Sequence, residues 1–312
     1  MSRYRDALLF CVLAVAWGSA FVAIKAGLAH VPPVFFAALR FDVAAVLMFA
    51  YAAATTDRWR PRTRREWLTV AVGGALLIAA YHAFLFVGEG RPGVTAATAA
   101  VVVSLGPVLT TAFDRLLLPG DRLSPLGVLG LCCGFVGVIV IVVPPAVVTA
   151  GDVSVLFDSN AVGTLLVVCA TASFALGSVL TERLDTDLPS ATMEAWAMLL
   201  GALSLNAASL ALGEPQTIPR SVEALSALGY LSVVASAFGF LLYFDLHDRL
   251  GSVEVNLVSY VAPVAAALVG WWLLGESLGV TTAVGFLIVF AGFCLLKRRA
   301  LYAELERVGI RD

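Results

Sequence analysis

Ten stretches of the sequence are apolar over about the length of a helix that crosses a membrane. A helix rises 1.5 Å per residue, so about 20 apolar residues cross a hydrocarbon core of roughly 30 Å. The stretches lack the alternation of apolar and polar residues that is typical of a β-barrel, so each is predicted to be a helix. The predicted spans are residues 7–28, 34–55, 66–88, 93–116, 124–143, 160–182, 190–212, 221–244, 252–274 and 280–297.

The composition agrees with a membrane protein and excludes an ordinary soluble domain. The chain has 312 residues, of which 60% are hydrophobic and 13% are charged, whereas soluble proteins carry about 25% charged residues. The mean hydropathy is +0.94. All five cysteines lie within apolar stretches and form no CxxC pair, so they are interpreted as packing residues. No metal, no other cofactor and no nucleic-acid partner is expected.

The basic residues are distributed so unevenly that they orient the chain. If the N-terminus is cytoplasmic and the spans alternate, sixteen Lys and Arg residues fall on the cytoplasmic side, and only Arg91 and Arg220 fall outside. This asymmetry is the positive-inside signal. The chain is therefore predicted to be a multi-pass protein of the plasma membrane with both termini in the cytoplasm. The basic loop 56–67 is then cytoplasmic, where it can lie against anionic lipid headgroups.

The first half of the chain is repeated in the second half. Each copy contains an apolar stretch with a central proline, an acidic turn and a glycine-rich apolar stretch, and the prolines Pro107 and Pro263 are 156 residues apart. Five spans in each copy is an odd number, so the second copy is inverted, as in many secondary transporters. The predicted fold is an all-α polytopic membrane protein whose ten transmembrane helices form two inverted five-helix repeats. The predicted divisions are the first repeat 1–143, an external linker 144–160, the second repeat 161–297 and a cytoplasmic tail 298–312.

Short motifs occur in a characteristic order along the predicted helices. They are AWGSAFVAIKAGL (16–28), LRF (39–41), SLGPV (104–108), YVAPV (260–264) and the acidic turns LPGDRL (118–123) and LGESL (274–278). In this order they resemble the ten-helix, EamA-type branch of the drug/metabolite transporter superfamily. The resemblance implies a secondary-type transporter of small metabolites, most often an exporter of amino acids or related solutes, and alternating access is its expected mechanism.

Two other classes stay open, namely a membrane enzyme and a receptor or scaffold without transport activity. The chain has three histidines, lacks HExxH and GxSxG, and has no loop long enough for a folded catalytic domain. The protein is therefore not expected to be an enzyme. The duplication favours a transporter over a receptor or scaffold.

The matched prolines predict a central solute site. Each proline removes a backbone donor and displaces the carbonyl four residues earlier, which for Pro263 is that of Ser259. A displaced carbonyl that faces a cavity becomes a ligand for a solute. Ser104 and Tyr260 lie at corresponding positions before Pro107 and Pro263. The alternative interpretation is a pair of packing kinks.

Arg40 is the candidate anchor for a solute carboxylate. Arg40 lies within the second predicted span, 34–55, where a charge costs a few kcal/mol and requires a partner. A guanidinium can contact a carboxylate at two points. The alternative is a structural network in which Asp42 neutralises Lys25 or Arg40. The full candidate solute site comprises Trp17, Ser19, Arg40, His82, Ser104, Pro107, Ser259, Tyr260 and Pro263, and the candidate charge or coupling network comprises Lys25, Asp42, Glu194 and Glu254.

The expected partners are a small-molecule solute and the lipid bilayer. Asp42, Glu194 and Glu254 are the carboxyl groups considered for proton coupling. The glycines of the fifth and tenth spans predict close helix packing, either within one chain or across a homodimer face, so monomer and homodimer both stay open.

Overall fold

The computed structural model describes residues 2–117, 124–218, 220–250, 255 and 257–307. Every regular element within these residues is a helix. Nine of the helices are long and apolar enough to cross a membrane, and a tenth, Val258–Leu274, has 17 residues. The described residues therefore confirm an all-α polytopic protein. The acidic turn 118–123 and the predicted network residue Glu254 lie outside them.

The observed helices agree with the predicted spans to within a few residues, apart from extensions at the ends of three and the start of the ninth. The ninth span is predicted to begin at residue 252, but the described helix begins at Val258, and most of 252–257 lies outside the described residues. The tail continues the last helix to Arg307 instead of forming a separate element. The linker contains a short helix, Pro145–Ala150, and a 3₁₀ turn, Val153–Phe157. The ten membrane helices are α1 Ser2–Leu28, α2 Pro33–Thr55, α3 Arg64–Glu89, α4 Ala96–Leu117, α5 Pro125–Val142, α6 Ser159–Leu184, α7 Ser190–Ala211, α8 (Val222–Gly229, Tyr230–Phe238 and Gly239–Leu250 in succession), α9 Val258–Leu274 and α10 Val280–Arg307.

Local sequence sets several helix ends. Thr63 and Glu66 form a capping box at the start of α3, in which each side chain accepts a hydrogen bond from the backbone of the other residue. Ser124 caps α5 by accepting from the amide of Gly127. α9 ends at Gly275, whose φ of 66° lies in the left-handed region that glycine adopts without strain. These signals define where α3 and α5 begin and where α9 ends.

The helices pack with a pseudo-two-fold relation between the halves. α1 packs against α8 and α9, and its counterpart α6 packs against α3 and α4. α2 packs against α7, and α5 packs against α10. Replacing each helix by its counterpart in the other half reproduces this set of contacts, as two copies of one five-helix unit require.

α5 and α10 cross at paired glycines. A Cβ added to Gly130 would lie 2.6 Å from the carbonyl oxygen of Gly292, and one added to Gly292 would lie 2.7 Å from that of Gly130. Gly137 and Gly285 are matched in the same way, at 2.8 Å in each direction. Small residues permit such close packing in lipid, where burial of apolar surface drives helix association only weakly. The glycine-rich faces therefore pack against each other within one chain.

Candidate functional site

α3 and α8 each contain a π-helical segment at corresponding positions. The segments are Gly73–Ala80 and Tyr230–Phe238. Adding 159 residues, the offset between Gly18 and Gly177, brings the first segment onto the second. A π segment is uncommon and is found frequently at functional sites. The sequence analysis does not predict either segment, because their apolar composition is that of an ordinary α-helix.

A side chain from another helix binds one backbone carbonyl in each π segment. The indole Nε1 of Trp17 donates to the carbonyl of Ala235, at 3.1 Å. The hydroxyl of Ser173 donates to the carbonyl of Leu76, at 2.9 Å. Leu76 and Ala235 are also 159 residues apart. The carbonyls at corresponding positions in the two halves thus accept from different side chains. Trp17 of α1 donates to α8, and Ser173 of α6 donates to α3.

Arg40 lies buried between α2 and the π segment of α8. Its side chain is buried, with the residue 7% exposed, and its Nε donates to the hydroxyl of Ser236, at 3.1 Å. The hydroxyl of Ser232 donates to the Arg40 carbonyl, at 3.2 Å. Among the described side chains, no Asp or Glu forms an ion pair with Arg40. The guanidinium is therefore held by a neutral hydroxyl.

His82 and Tyr81 of α3 complete this polar cluster. The His82 ring lies edge-on to Phe41 and to Tyr81, with centroid distances of 4.3 Å and 4.5 Å. Its Nδ1 lies 2.9 Å from the carbonyl of Ile78, one turn earlier in α3. The charge of Arg40 acts on both Tyr81 and His82. The structure thus brings two predicted site residues, Arg40 and His82, into one buried cluster.

Trp17 and Ser19 line the contact of α1 with α8. The Trp17 ring stacks on Tyr243 at a centroid distance of 5.4 Å. The Ser19 hydroxyl lies 3.1 Å from the hydroxyl of Tyr230, which also donates to the carbonyl of Ala16, at 3.1 Å. Together with the Trp17–Ala235 bond, these contacts attach α1 to the π segment of α8.

The two matched prolines have different effects. α4 is interrupted at Ser104–Leu105, between Ala96–Val103 and Gly106–Leu117. α9 continues through Pro263 without a break. Ser104 favours the interruption because its hydroxyl donates to the Val101 carbonyl, at 2.6 Å, and so competes for helix hydrogen bonds. The glycine next to Pro107 adds conformational freedom that α9 lacks.

Tyr260 belongs to an apolar cluster that also contains Leu105, the residue after Ser104. Ser104 is fully buried. The Tyr260 ring packs against Phe290 and Phe293 of α10, at centroid distances of 5.5 Å and 4.4 Å. Its hydroxyl is buried and has no hydrogen-bond partner among the described residues. In this conformation Tyr260 therefore faces α10. Pro263 is also buried, and Pro107 and Ser259 are partly buried.

A second polar cluster joins the end of α3 to α1 and to the α9–α10 turn. The Lys25 ammonium donates to the carbonyls of Glu89 and Val94, both at 2.7 Å. Glu276 accepts from the amide of Ala96, at 2.9 Å. Burial raises the pKa of the Glu276 carboxyl, and the Ala96 amide and Lys25 oppose this effect. The sequence analysis names Lys25 but misses Glu89, whose place beside the turn makes it look like a boundary residue.

Asp42 lies on the outer face of α2, away from Arg40. Its two carboxylate oxygens accept from the side-chain amide of Asn206 in α7, at 3.1 Å and 3.2 Å. Val46 and Leu210, one turn from Asp42 and from Asn206 respectively, are 69% and 63% exposed. These neighbours mark a lipid-facing surface. In the structure Asp42 therefore pairs with Asn206, and neither Lys25 nor Arg40 is its partner.

Glu194 lies partly buried near the start of α7, and its charge acts on Tyr243, the residue that stacks on Trp17. The predicted site residues thus divide into three groups. Arg40 and His82 lie in the cluster beside α8, Trp17 and Ser19 contact α8 from α1, and Tyr260, near Pro263, packs against α10. The roles assigned to them stay predictions.

Comparisons with known proteins agree with this architecture. The chain is 32% identical over 267 residues to the uncharacterized inner membrane transporter YedA of Escherichia coli K12, covering 85% of this chain and 82% of that protein. It is 26% identical over 312 residues to the uncharacterized transporter YvbV of Bacillus subtilis, covering 100% and 98%. A solved crystal structure, 24% identical, matches 96% of this chain and 99% of its own with a TM-score of 0.64, and supports the fold alone.

The sequence profile of the EamA-like transporter family matches the chain twice, over residues 5–143 and 161–298. Each match covers one set of five helices. The names of the relatives and of the family indicate a transporter, and none of them indicates an enzyme. The chain is a multi-pass membrane transporter that belongs to the EamA-like transporter family.

Proposed function

We propose that the protein is a secondary transporter that exports small metabolites bearing a carboxylate, with amino acids and related solutes as the main class. It works by alternating access, and both of its termini are cytoplasmic. The solute carboxylate binds at Arg40, beside the π segment of α8.

The observation that carries this proposal is the environment of Arg40. A guanidinium at this depth in the bilayer is costly unless it has a partner, and the only side-chain hydrogen bond found for it, among described residues, is that of Nε to Ser236. This bond orients the plane of the guanidinium and engages only one of its donors. A carboxylate is the natural partner for the remaining edge, because the spacing of its oxygens matches the guanidinium fork.

The matched π segments support alternating access. Each lies in the third helix of its half, and one of its backbone carbonyls accepts a side-chain hydrogen bond from the first helix of the other half. A π segment is a local distortion at which a helix can change its hydrogen bonding. Since the halves are inverted, an adjustment in α3 on one side of the membrane has its counterpart in α8 on the other.

Solute counterflow in proteoliposomes tests this function. Vesicles containing the protein are loaded with an unlabelled solute, and uptake of the same labelled solute is followed for amino acids, sugars and nucleosides. We expect exchange of one or more amino acids, no exchange in protein-free vesicles, and poor exchange of the amines that result from decarboxylation. Exchange of sugars or nucleosides alone would refute the carboxylate assignment. Exchange of decarboxylated amines as fast as the parent amino acids would refute the role of Arg40.

The direction of transport is tested separately in cells. Expression of the protein should lower the intracellular concentration of the transported amino acid and raise the concentration in the medium. The Arg40→Lys variant, expressed at the same level, is the control. Net accumulation inside cells that depends on the parent protein would refute export.

A further inference from the structure

Glu89, the last residue of α3, presents a buried carboxyl group without a partner. The residue is 0% exposed, and neither carboxyl oxygen has a hydrogen-bond partner among the described residues. An ionised carboxylate in such a place would lose several kcal/mol of solvation energy, with no hydrogen bond to replace it. A protonated carboxyl group avoids this cost.

The charged and titratable groups around Glu89 come from three elements. From α1, the Lys25 ammonium acts on the Glu89 carboxyl, and so does Glu276 from the α9–α10 turn. From α3 itself, Tyr81 senses the charge of Glu89 as well as that of Arg40. Arg91, two residues beyond Glu89, is exposed. Glu89 thus lies between the second polar cluster and the cluster that contains Arg40.

The neighbouring contact with α6 is apolar. A Cβ added to Gly88 would lie 2.7 Å from the carbonyl of Gly163 and 2.9 Å from a methyl group of Val167. This close packing keeps water from the end of α3. No charged group on this side of α3, within the described residues, competes with Lys25 for Glu89.

Lys25 is the group whose contacts depend on the charge of Glu89. Its ammonium now binds the carbonyls of Glu89 and Val94 and lies 3.5 Å from that of Arg91, which joins α1 to the turn between α3 and α4. An ionised Glu89 would attract the same ammonium with a full negative charge, which binds it more strongly than a neutral carbonyl does. Loss of one proton therefore favours transfer of Lys25 from the carbonyls to the carboxylate.

We propose that Glu89 is the proton-binding site that controls the outer opening of the transporter. When this end opens, the O–H bond of Glu89 breaks, the proton passes to the outer water, and the carboxylate pairs with Lys25. When it closes, the carboxylate takes up a proton from the same outer water and Lys25 returns to the carbonyls. This inference rests on the proposed transport function and names the ion that regulates the outer opening.

Accessibility of Val94 tests the inference without any solute. Val94 is 1% exposed, so a cysteine there in a cysteine-free background reacts with an impermeant maleimide only when this end opens. Ser154→Cys, in the exposed linker, corrects for the pH dependence of the thiol. We expect the corrected rate to rise with pH by up to about tenfold per unit around the titration of Glu89, the slope of a one-proton equilibrium. In Glu89→Gln the rate should stay low at every pH.

Two further variants separate Glu89 from its neighbours. Glu89→Asp should keep a pH-dependent rate, and Glu276→Gln, which removes the neighbouring carboxyl, should also keep it. Loss of the pH dependence in Glu276→Gln with retention in Glu89→Gln would overturn the assignment. Dependence of the rate on replacing Na⁺ by choline at constant pH would overturn it in favour of a metal cation.

Infrared spectroscopy of the reconstituted protein gives a second measurement, which detects the protonated carboxyl group directly and does not require the outer end to open. The absorption of a protonated carboxylic acid should be present at neutral pH and should decrease in Glu89→Gln. An unchanged spectrum would overturn the inference even if Glu89→Gln were too unstable for labelling. Both measurements are free of solute, so they remain decisive if no amino acid is exchanged. Active counterflow together with pH-independent labelling would refute this inference alone.

Discussion

Replacing Arg40 by lysine keeps the positive charge but removes the planar guanidinium group, which can donate two parallel hydrogen bonds to a carboxylate. In the structure Nε donates to Ser236, which leaves the rest of the guanidinium to contact a solute carboxylate at two points. A lysine ammonium reproduces one of these contacts at most. A hydrogen bond to a charged group contributes about 1.5–3 kcal/mol, so its loss predicts an increase in the apparent KM of roughly ten- to a hundredfold.

The assay compares initial rates of counterflow for a transported amino acid and for its decarboxylated amine. The parent protein should discriminate strongly between the two, and Arg40→Lys should lose most of this discrimination. Ser236→Ala is the matched control, since it removes only the neutral partner that orients the guanidinium. Its expected loss is smaller, about two- to tenfold in KM, from a net 0.5–1.5 kcal/mol for one hydrogen bond.

A structural role for Arg40 predicts a different result. A buried side chain that only supports the fold should affect all solutes alike, and its loss should lower the amount of folded protein. Equal changes for the amino acid and the amine, with less folded protein in size-exclusion chromatography, would refute the binding role.

The other predictions concern topology, helix shape and packing. Single cysteines should react with an impermeant maleimide on intact cells at Ser154 but not at Arg62, because the distribution of basic residues predicts that the 56–67 loop is cytoplasmic. Pro107→Ala should close the break in α4 and slow counterflow more than Pro263→Ala, because α9 is already continuous. Gly137→Ala should destabilise the protein in detergent by about 1–3 kcal/mol, because the added Cβ would meet a backbone carbonyl at 2.8 Å.

Each of these three predictions has an experimental outcome that would contradict it. Labelling of Arg62→Cys from outside intact cells would invert the topology. Equal rates for the two proline variants, at equal amounts of folded protein, would show that the break in α4 has no role in transport. For the glycine, Gly229→Ala is the control, since a Cβ there meets nothing within 4 Å; an equal loss of stability in both variants would refute the packing argument.

The number of the helices and most of their ends could be predicted because they depend on length and local signals. Each apolar stretch is long enough to span the bilayer, and local caps define a helix end, as Ser124 does at the start of α5 and Gly275 does at the end of α9. The glycines of α5 and α10 could also be predicted to pack closely, since glycine in a membrane helix has few other uses. The burial of Arg40 follows from the high cost of a charge in lipid.

The rotation of each helix about its axis could not be predicted in the same way. In a soluble protein the polar face marks the outside, but here lipid and protein interior are both apolar. The matched prolines therefore could not show that Tyr260 packs against α10. In the same way, the depth of Asp42 in α2 could not show that it faces lipid beside Asn206. The π segments depend on tertiary contacts such as the Trp17–Ala235 bond, and Glu89 is distinguished only by what surrounds it.

The unequal bonds at the two π segments have a thermodynamic consequence. If the halves of an inverted repeat were identical, the inward-open and outward-open forms would be equivalent, and an unloaded protein without a membrane potential would populate them equally. Here an indole holds the carbonyl of Ala235, whereas a serine hydroxyl holds that of Leu76. A difference of about 1.4 kcal/mol between the strengths of two such bonds changes a population ratio tenfold. Under the proposed alternating-access mechanism, Trp17 and Ser173 would therefore give the unloaded protein a preferred conformation, and a single substitution at either residue would change that preference.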